Sequence, residues 1–134
     1  MVFYSYLCPI HLINQLNMNE NVKKIEDFIR HFESLEQLNN NTHKELSDVD
    51  KELANWYHKV EGLEITHVSQ SHNLLKEVKP ILKRRRELKI ETLTLRSTCD
   101  SLRATMEKVK ENHKKYLKQN EKVLQEIKDN ANGN

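Results

Sequence analysis

The chain is poor in the residues that make turns, with 2 glycines and 2 prolines among 134 residues. A β-sandwich, a barrel or a doubly wound sheet needs many tight turns, which are built largely from those two residues. Such folds are excluded. Aromatic residues are also scarce at 6%, and hydrophobic residues make up 37% against 31% charged, with a mean hydropathy of -0.82. That inventory cannot fill a deep spherical core. Yet leucine and valine recur too regularly for a disordered chain. A helical, elongated fold that buries one apolar stripe is what survives.

Other absences narrow the function. The 2 cysteines, Cys8 and Cys99, lie far apart and form no C-x-x-C, which points to a reducing compartment, cytosol or nucleus. No charge of one sign dominates: 22 basic and 20 acidic residues leave a net +2 and a pI near 8.5. Overall charge therefore gives no general pull toward nucleic acid or an anionic membrane. No uncharged apolar run reaches the roughly 18 residues that a membrane-spanning helix needs. No glycine-rich phosphate loop and no G-x-S-x-G occur, and the 7 histidines form neither H-x-x-x-H nor H-E-x-x-H. Glu64-x-x-His67 matches half of a di-iron bundle motif but lacks its second copy. No catalytic residue, metal or cofactor is expected, and the chain reads as a non-enzyme.

The first seventeen residues, MVFYSYLCPIHLINQLN, are uncharged and aromatic, and the composition changes abruptly at Met18. Three readings stay open for segment 1–17: a loosely ordered extension, an upstream start with Met18 as the working initiator, or an anchor or signal. A secretory signal would need a basic start and a small-residue cleavage site, and Ser5, Pro9, His11, Asn14 and Gln15 interrupt the apolar run.

Most of the remainder follows one ladder. Steps of seven from Ile25 meet Phe32, Asn39, Leu46, Leu53, Val60, His67, Leu74, Ile81, Leu88, Leu95, Leu102, Val109, Tyr116 and Val123. Only Asn39 and His67 are neither apolar nor aromatic, where chance placement would give about five or six apolar positions. Seven residues are two helical turns, so this row lies on one side of a helix and suits left-handed coiled-coil packing. In the first half a companion column sits three residues further on, at Phe28, Leu35, Val49, Trp56 and Leu63. Beyond residue 78 the better companion sits four further on: Val78, Arg85, Thr92, Cys99, Met106, His113, Asn120 and Ile127. Arg85, Thr92, His113 and Asn120 are poor zipper residues, and polar side chains at such places select register and partner at a cost in stability. Ile90, Leu93, Leu117 and Leu124 lie outside the seam and widen the stripe toward three- or four-helix packing.

Breaks in the pattern divide the chain. Asn39-Asn40-Asn41 precedes Thr42, which with Glu45 makes a capping box. Pro80 lacks an amide hydrogen and disfavours helix at Lys79. Gly62 is a weaker interruption, costing about 1 kcal/mol relative to alanine. These signals predict a short helix in segment 18–40, a middle helix in 42–79, a long coiled-coil helix in 80–130 and a disordered tail at 131–134. The helical cores fall at 20–38, 42–78 and 81–129, and whether the last two are continuous or fold back is open. The expected class is all-α: an elongated helical hairpin or coiled coil with one very long C-terminal helix.

The surface expected to meet other coiled-coil subunits is the ladder with its companions: Leu46, Leu53, Trp56, Val60, Leu74, Ile81, Leu88, Leu95, Cys99, Leu102, Met106, Val109, Tyr116, Val123 and Ile127. Cys99 reads there as a small buried hydrophobe and Trp56 as an anchor. The concentrated charge feature is Lys83-Arg84-Arg85-Arg86, with Lys79 and Lys89 nearby. Four successive helical residues point almost all the way round, so this is a basic collar rather than a stripe. Its readings stay open: solvated and paired with Glu77, Glu87 and Glu91, or a contact for acidic side chains of a partner, phosphoinositide headgroups or nucleic acid, or a nuclear-import signal. Of these, nucleic-acid binding is the least expected, because no aromatic residues are interleaved for stacking.

The stretch Leu74–Val109, LLKEVKPILKRRRELKIETLTLRSTCDSLRATMEKV, resembles the helical region of small subunits in the biogenesis of lysosome-related organelles complex and its lysosome-positioning relative. Cappuccino-type subunits carry a similar proline-leucine-lysine run before leucine heptads. KxDL-type subunits are also similar, although Lys79-Pro80-Ile81-Leu82 has isoleucine where that motif is acidic. The resemblance implies a structural subunit of a hetero-oligomeric complex in endosome and lysosome traffic or positioning. It further implies a cytoplasmic protein that meets endosomal or lysosomal membranes only through its partners. The short leading helix Val22–Leu35 and the overall size resemble instead a helical subunit of the spindle- and kinetochore-associated complex. A free-standing helical bundle is the third reading.

Overall fold

The computed structural model describes residues 20–133; of residues 4–19 it describes the helical backbone alone. The readings made for segment 1–17 lie outside the residues whose side chains are described. Two helices, α1 (Tyr4–Glu61) and α2 (Val68–Asn132), are joined by residues 62–67, with no strand among the described residues. The fold is all-α, a helical hairpin whose C-terminal helix spans 65 residues.

The three expected helices are two. No boundary exists at residues 39–42, where α1 runs on unbroken. Thr42 does not cap a new helix; its hydroxyl donates to the Leu38 carbonyl at 2.8 Å, within the helix it was expected to start. Asn39 and Thr42 are both buried, so side chains that favour turns in isolation are held by packing, which overrides local propensity. Pro80 does not break α2 either. Proline in a helix interior removes one hydrogen bond and costs about 3 kcal/mol, and Pro80 is exposed, with its ring outside the packed seam. The segment expected as a disordered tail at 131–134 is helical through Asn132.

The chain turns at residues 62–67, beside the glycine read as the weaker interruption. Leu63 N–H donates to the Val60 carbonyl at 3.1 Å as α1 ends. At the start of α2, the Gln70 side-chain oxygen accepts from the backbone N–H of Thr66 at 2.9 Å and of His67 at 3.4 Å. A glutamine three residues into a helix reaching back to the capping residue is half of a capping box. It satisfies amides that would otherwise lack partners.

Two compact units make up the chain: Ser34–Ser101, and the paired segments Met1–Glu33 and Leu102–Asn134. In the unit Ser34–Ser101 the helices run antiparallel. The ion pairs show it: Glu45 and Asp50 of α1 meet Arg84 and Arg85, whereas Lys59, further along α1, meets Glu77, earlier in α2. Val49, Leu53, Val78, Leu88 and Cys99 are buried between them. Leu35, Leu46, Trp56, Val60, Leu74, Ile81 and Leu95 are half-buried along the same two rows. The three- and four-residue spacing of these rows is that of helices packed side by side.

In the other unit Phe32 and Met106 are buried, and Val22, Ile29, Leu102, Val109, Tyr116 and Leu117 half-buried. Lys110 pairs with Glu33 at 3.3 Å and His113 with Glu26 at 3.4 Å. Two companion assignments fail: Phe28 is exposed, its place taken by Ile29, and Leu63 is exposed in the turn. A straight helix drifts about 20° per heptad relative to a seven-residue repeat, enough to pass the contact to the next residue.

Gly62 needs no glycine-only conformation: its φ is not positive, and an added Cβ would lie 3.8 Å from the nearest atom, the Lys59 carbonyl oxygen. Gly62→Ala is therefore expected to stabilise the hairpin by about 0.4–1 kcal/mol, through the unfolded chain's lost freedom. Thermal unfolding followed by circular dichroism checks this. A lowered midpoint would contradict the backbone geometry at the turn.

Candidate partner interface

The ladder expected to face other proteins is largely consumed within the chain. Among its named members Leu53, Leu88, Cys99 and Met106 are buried. Leu46, Trp56, Val60, Leu74, Ile81, Leu95, Leu102, Val109 and Tyr116 are half-buried. Only Val123 and Ile127 are exposed. Within the chain, the turn at 62–67 lays the ladder's two halves against each other. His67 leaves the row as well, exposed in the turn itself.

The polar positions of the α2 column sit where their spacing placed them. Thr92 is buried, and Arg85, His113 and Asn120 are half-buried. They join Asn39 and Thr42 from α1, and several are poorly satisfied. Asn39 Oδ1, Thr92 Oγ1, Trp56 Nε1 and His113 Nδ1 are buried without a hydrogen-bond partner among the described residues. A buried polar atom left unpaired costs about 1–3 kcal/mol, so the inner seam is closed but weak. Cys99 is a free thiol. Trp56 meets Tyr57 edge-on, ring centroids 5.4 Å apart, with Tyr57 on the surface.

The basic collar is divided by the hairpin. Arg84 Nε donates to Glu45 Oε1 at 3.0 Å, and Arg85 Nε to Asp50 Oδ1 at 2.5 Å. The hydrogen bond to Glu45 raises the Arg84 pKa; partial desolvation opposes it, and the charges of Glu45, Glu87 and Glu91 add to the rise. Glu77, expected to serve the collar, belongs to Lys59 at 3.0 Å. Glu87 does meet the collar, 3.9 Å from Arg84. Lys83 and Arg86 have no carboxylate partner among the described residues. Surface pairs of this kind contribute about 0.2–1 kcal/mol each, so they fix register more than stability.

A second row of aliphatic side chains lies outside the seam. Leu75, Leu82, Ile90 and Leu93 of α2 are 54%, 39%, 62% and 69% exposed. Ile90 and Leu93 stand out in the sequence as apolar residues beyond the seam; Leu75 and Leu82 are hidden there because each directly follows, in sequence, a member of the ladder. Among the described residues seven apolar side chains are buried while fourteen large ones are exposed. Single exposed leucines are ordinary on protein surfaces, whereas a row of them marks a contact surface.

Thr92→Val keeps the shape and removes the unpaired hydroxyl. It is expected to raise the thermal midpoint by the equivalent of about 1 kcal/mol. Destabilisation would show that the hydroxyl has a partner the seam depends on. Comparison with known protein families, with curated proteins and with solved structures finds no match for this chain.

Proposed function

We propose that this chain is a non-enzymatic structural subunit of a hetero-oligomeric helical complex. The observation that carries the reading is the exposed aliphatic row Leu75, Leu82, Ile90 and Leu93, which lies outside a seam the chain already closes for itself. A two-helix hairpin offers each helix only one neighbour. Burying a further leucine is worth about 1.5–3 kcal/mol, and here a third helix would have to supply the cover. Polar residues within the inner seam support the same reading, because they keep the hairpin from being an optimised free-standing unit.

The resemblance of Leu74–Val109 supports a setting in the biogenesis or positioning of lysosomes and related organelles. The exposed row falls inside that stretch. In this reading the protein is cytoplasmic and reaches endosomal or lysosomal membranes through its partners, and no helix of the described residues is long and apolar enough to cross a membrane. The spindle reading drew on a separate short leading helix. α1 runs unbroken to Glu61, so no observation favours it.

The test is native sedimentation and mass spectrometry of the tagged endogenous protein. A fixed, stoichiometric set of other helical proteins should travel with it, at a mass well above the 16.0 kDa of the chain. Recovery as the free chain would contradict the proposal.

A further inference from the structure

Leu75, Lys79, Leu82, Arg86, Ile90 and Leu93 follow one another at intervals of three or four residues along α2. At 3.6 residues per turn they fall within an arc of about 80°. All six are exposed, and all lie in the unit Ser34–Ser101. Lys83 and Lys89 fall near the two edges of the arc, while Glu77, Glu87 and Glu91 fall on the opposite flank of the helix. The arc therefore carries no carboxylate. Lys79, Lys83, Arg86 and Lys89 have no acidic partner among the described residues, whereas Arg84 and Arg85 are held by Glu45 and Asp50. The hairpin splits one run of basic residues into two that lock its register and others that face outward between leucines.

We infer that this face, from Leu75 to Leu93, docks one acidic amphipathic helix of a partner subunit. The inference rests on the structural-subunit reading above and names the chemistry of the partner. The face spans about 27 Å, or five turns, at 1.5 Å per residue, the length of an ordinary helix. A fitting partner presents leucine or isoleucine toward Leu75, Leu82, Ile90 and Leu93, with glutamate or aspartate opposite Lys79 and Arg86. A lipid surface fits less well. Lys79 and Arg86 lie inside the aliphatic row rather than along its margins, so sinking the leucines into hydrocarbon would take two charges with them. The row also lacks the tryptophan and phenylalanine with which interfacial helices hold a bilayer. An acidic helix buries the same leucines and pairs both charges.

The test uses the full tagged chain in native extract, as wild type and as the double variant Leu82→Glu/Arg86→Glu. Both residues are exposed, so the variant should keep the wild-type circular dichroism. In wild type, zero-length carbodiimide crosslinking, which joins amines to carboxylates in contact, should link Lys79, Lys83 or Lys89 to a helix of another subunit. In the variant, recovery of that subunit should fall at least tenfold. Partners retained at full level by the variant would overturn the docking face while leaving the subunit reading intact. A wild-type chain recovered free would overturn both. Crosslinks from these lysines to a second copy of this chain would replace the proposal by self-association. Flotation of the purified chain with phosphatidylserine vesicles, lost in the variant and unaccompanied by crosslinks, would assign the face to a membrane instead.

Discussion

An amphipathic ladder folded back against itself is the interaction on which the rest depends. Because the turn lies at residues 62–67, leucines and valines at seven-residue intervals before it meet their counterparts after it. That antiparallel contact fixes where every other side chain goes. It sets Asp50 beside Arg85 and Glu45 beside Arg84, and it takes Asn39, Thr42 and Thr92 out of water. It also decides which apolar residues are left over. Leu75 and Leu82 each follow a seam residue by one position, about 100° round the helix, so closing the seam turns them outward.

Much of this arrangement was legible in the sequence. The α2 seam column from Val78 to Asn120 is occupied as spacing indicates, down to its polar members, because helical periodicity is rigid over many turns. The breaks are less legible there. Asn39 to Thr42 and Pro80 are strong local signals, but each acts on one or two hydrogen bonds, while the seam on either side acts on many side chains at once. Gly62 looked minor and lies beside the true turn, where Gln70 supplies the cap that no glycine rule would reveal. What periodicity could not carry was the identity of the neighbour. A heptad states which face is apolar, and the same face serves a partner chain or the other half of its own.

With the ladder closed in cis, the proposed contact with other subunits falls on the outer side of α2, where Leu75, Leu82, Ile90 and Leu93 are exposed among lysine and arginine. The inner seam is itself a compromise. Unpaired polar atoms at Asn39, Trp56, Thr92 and His113 lower its stability, and an unsatisfied position in the wrong register would cost more, which gives the hairpin its specificity. In the proposed assembly, a hairpin held weakly inside and presenting leucines outside would gain stability from a third helix, which would link folding to assembly.

The concentration dependence of unfolding tests the cis closure of the ladder most directly. For a seam made within one chain, the thermal midpoint of the purified protein stays constant over a hundredfold range of concentration, on the order of micromolar to a tenth of millimolar. A midpoint that climbs steadily with concentration would show that the ladder is closed between chains, and the account of the outer face would fall with it.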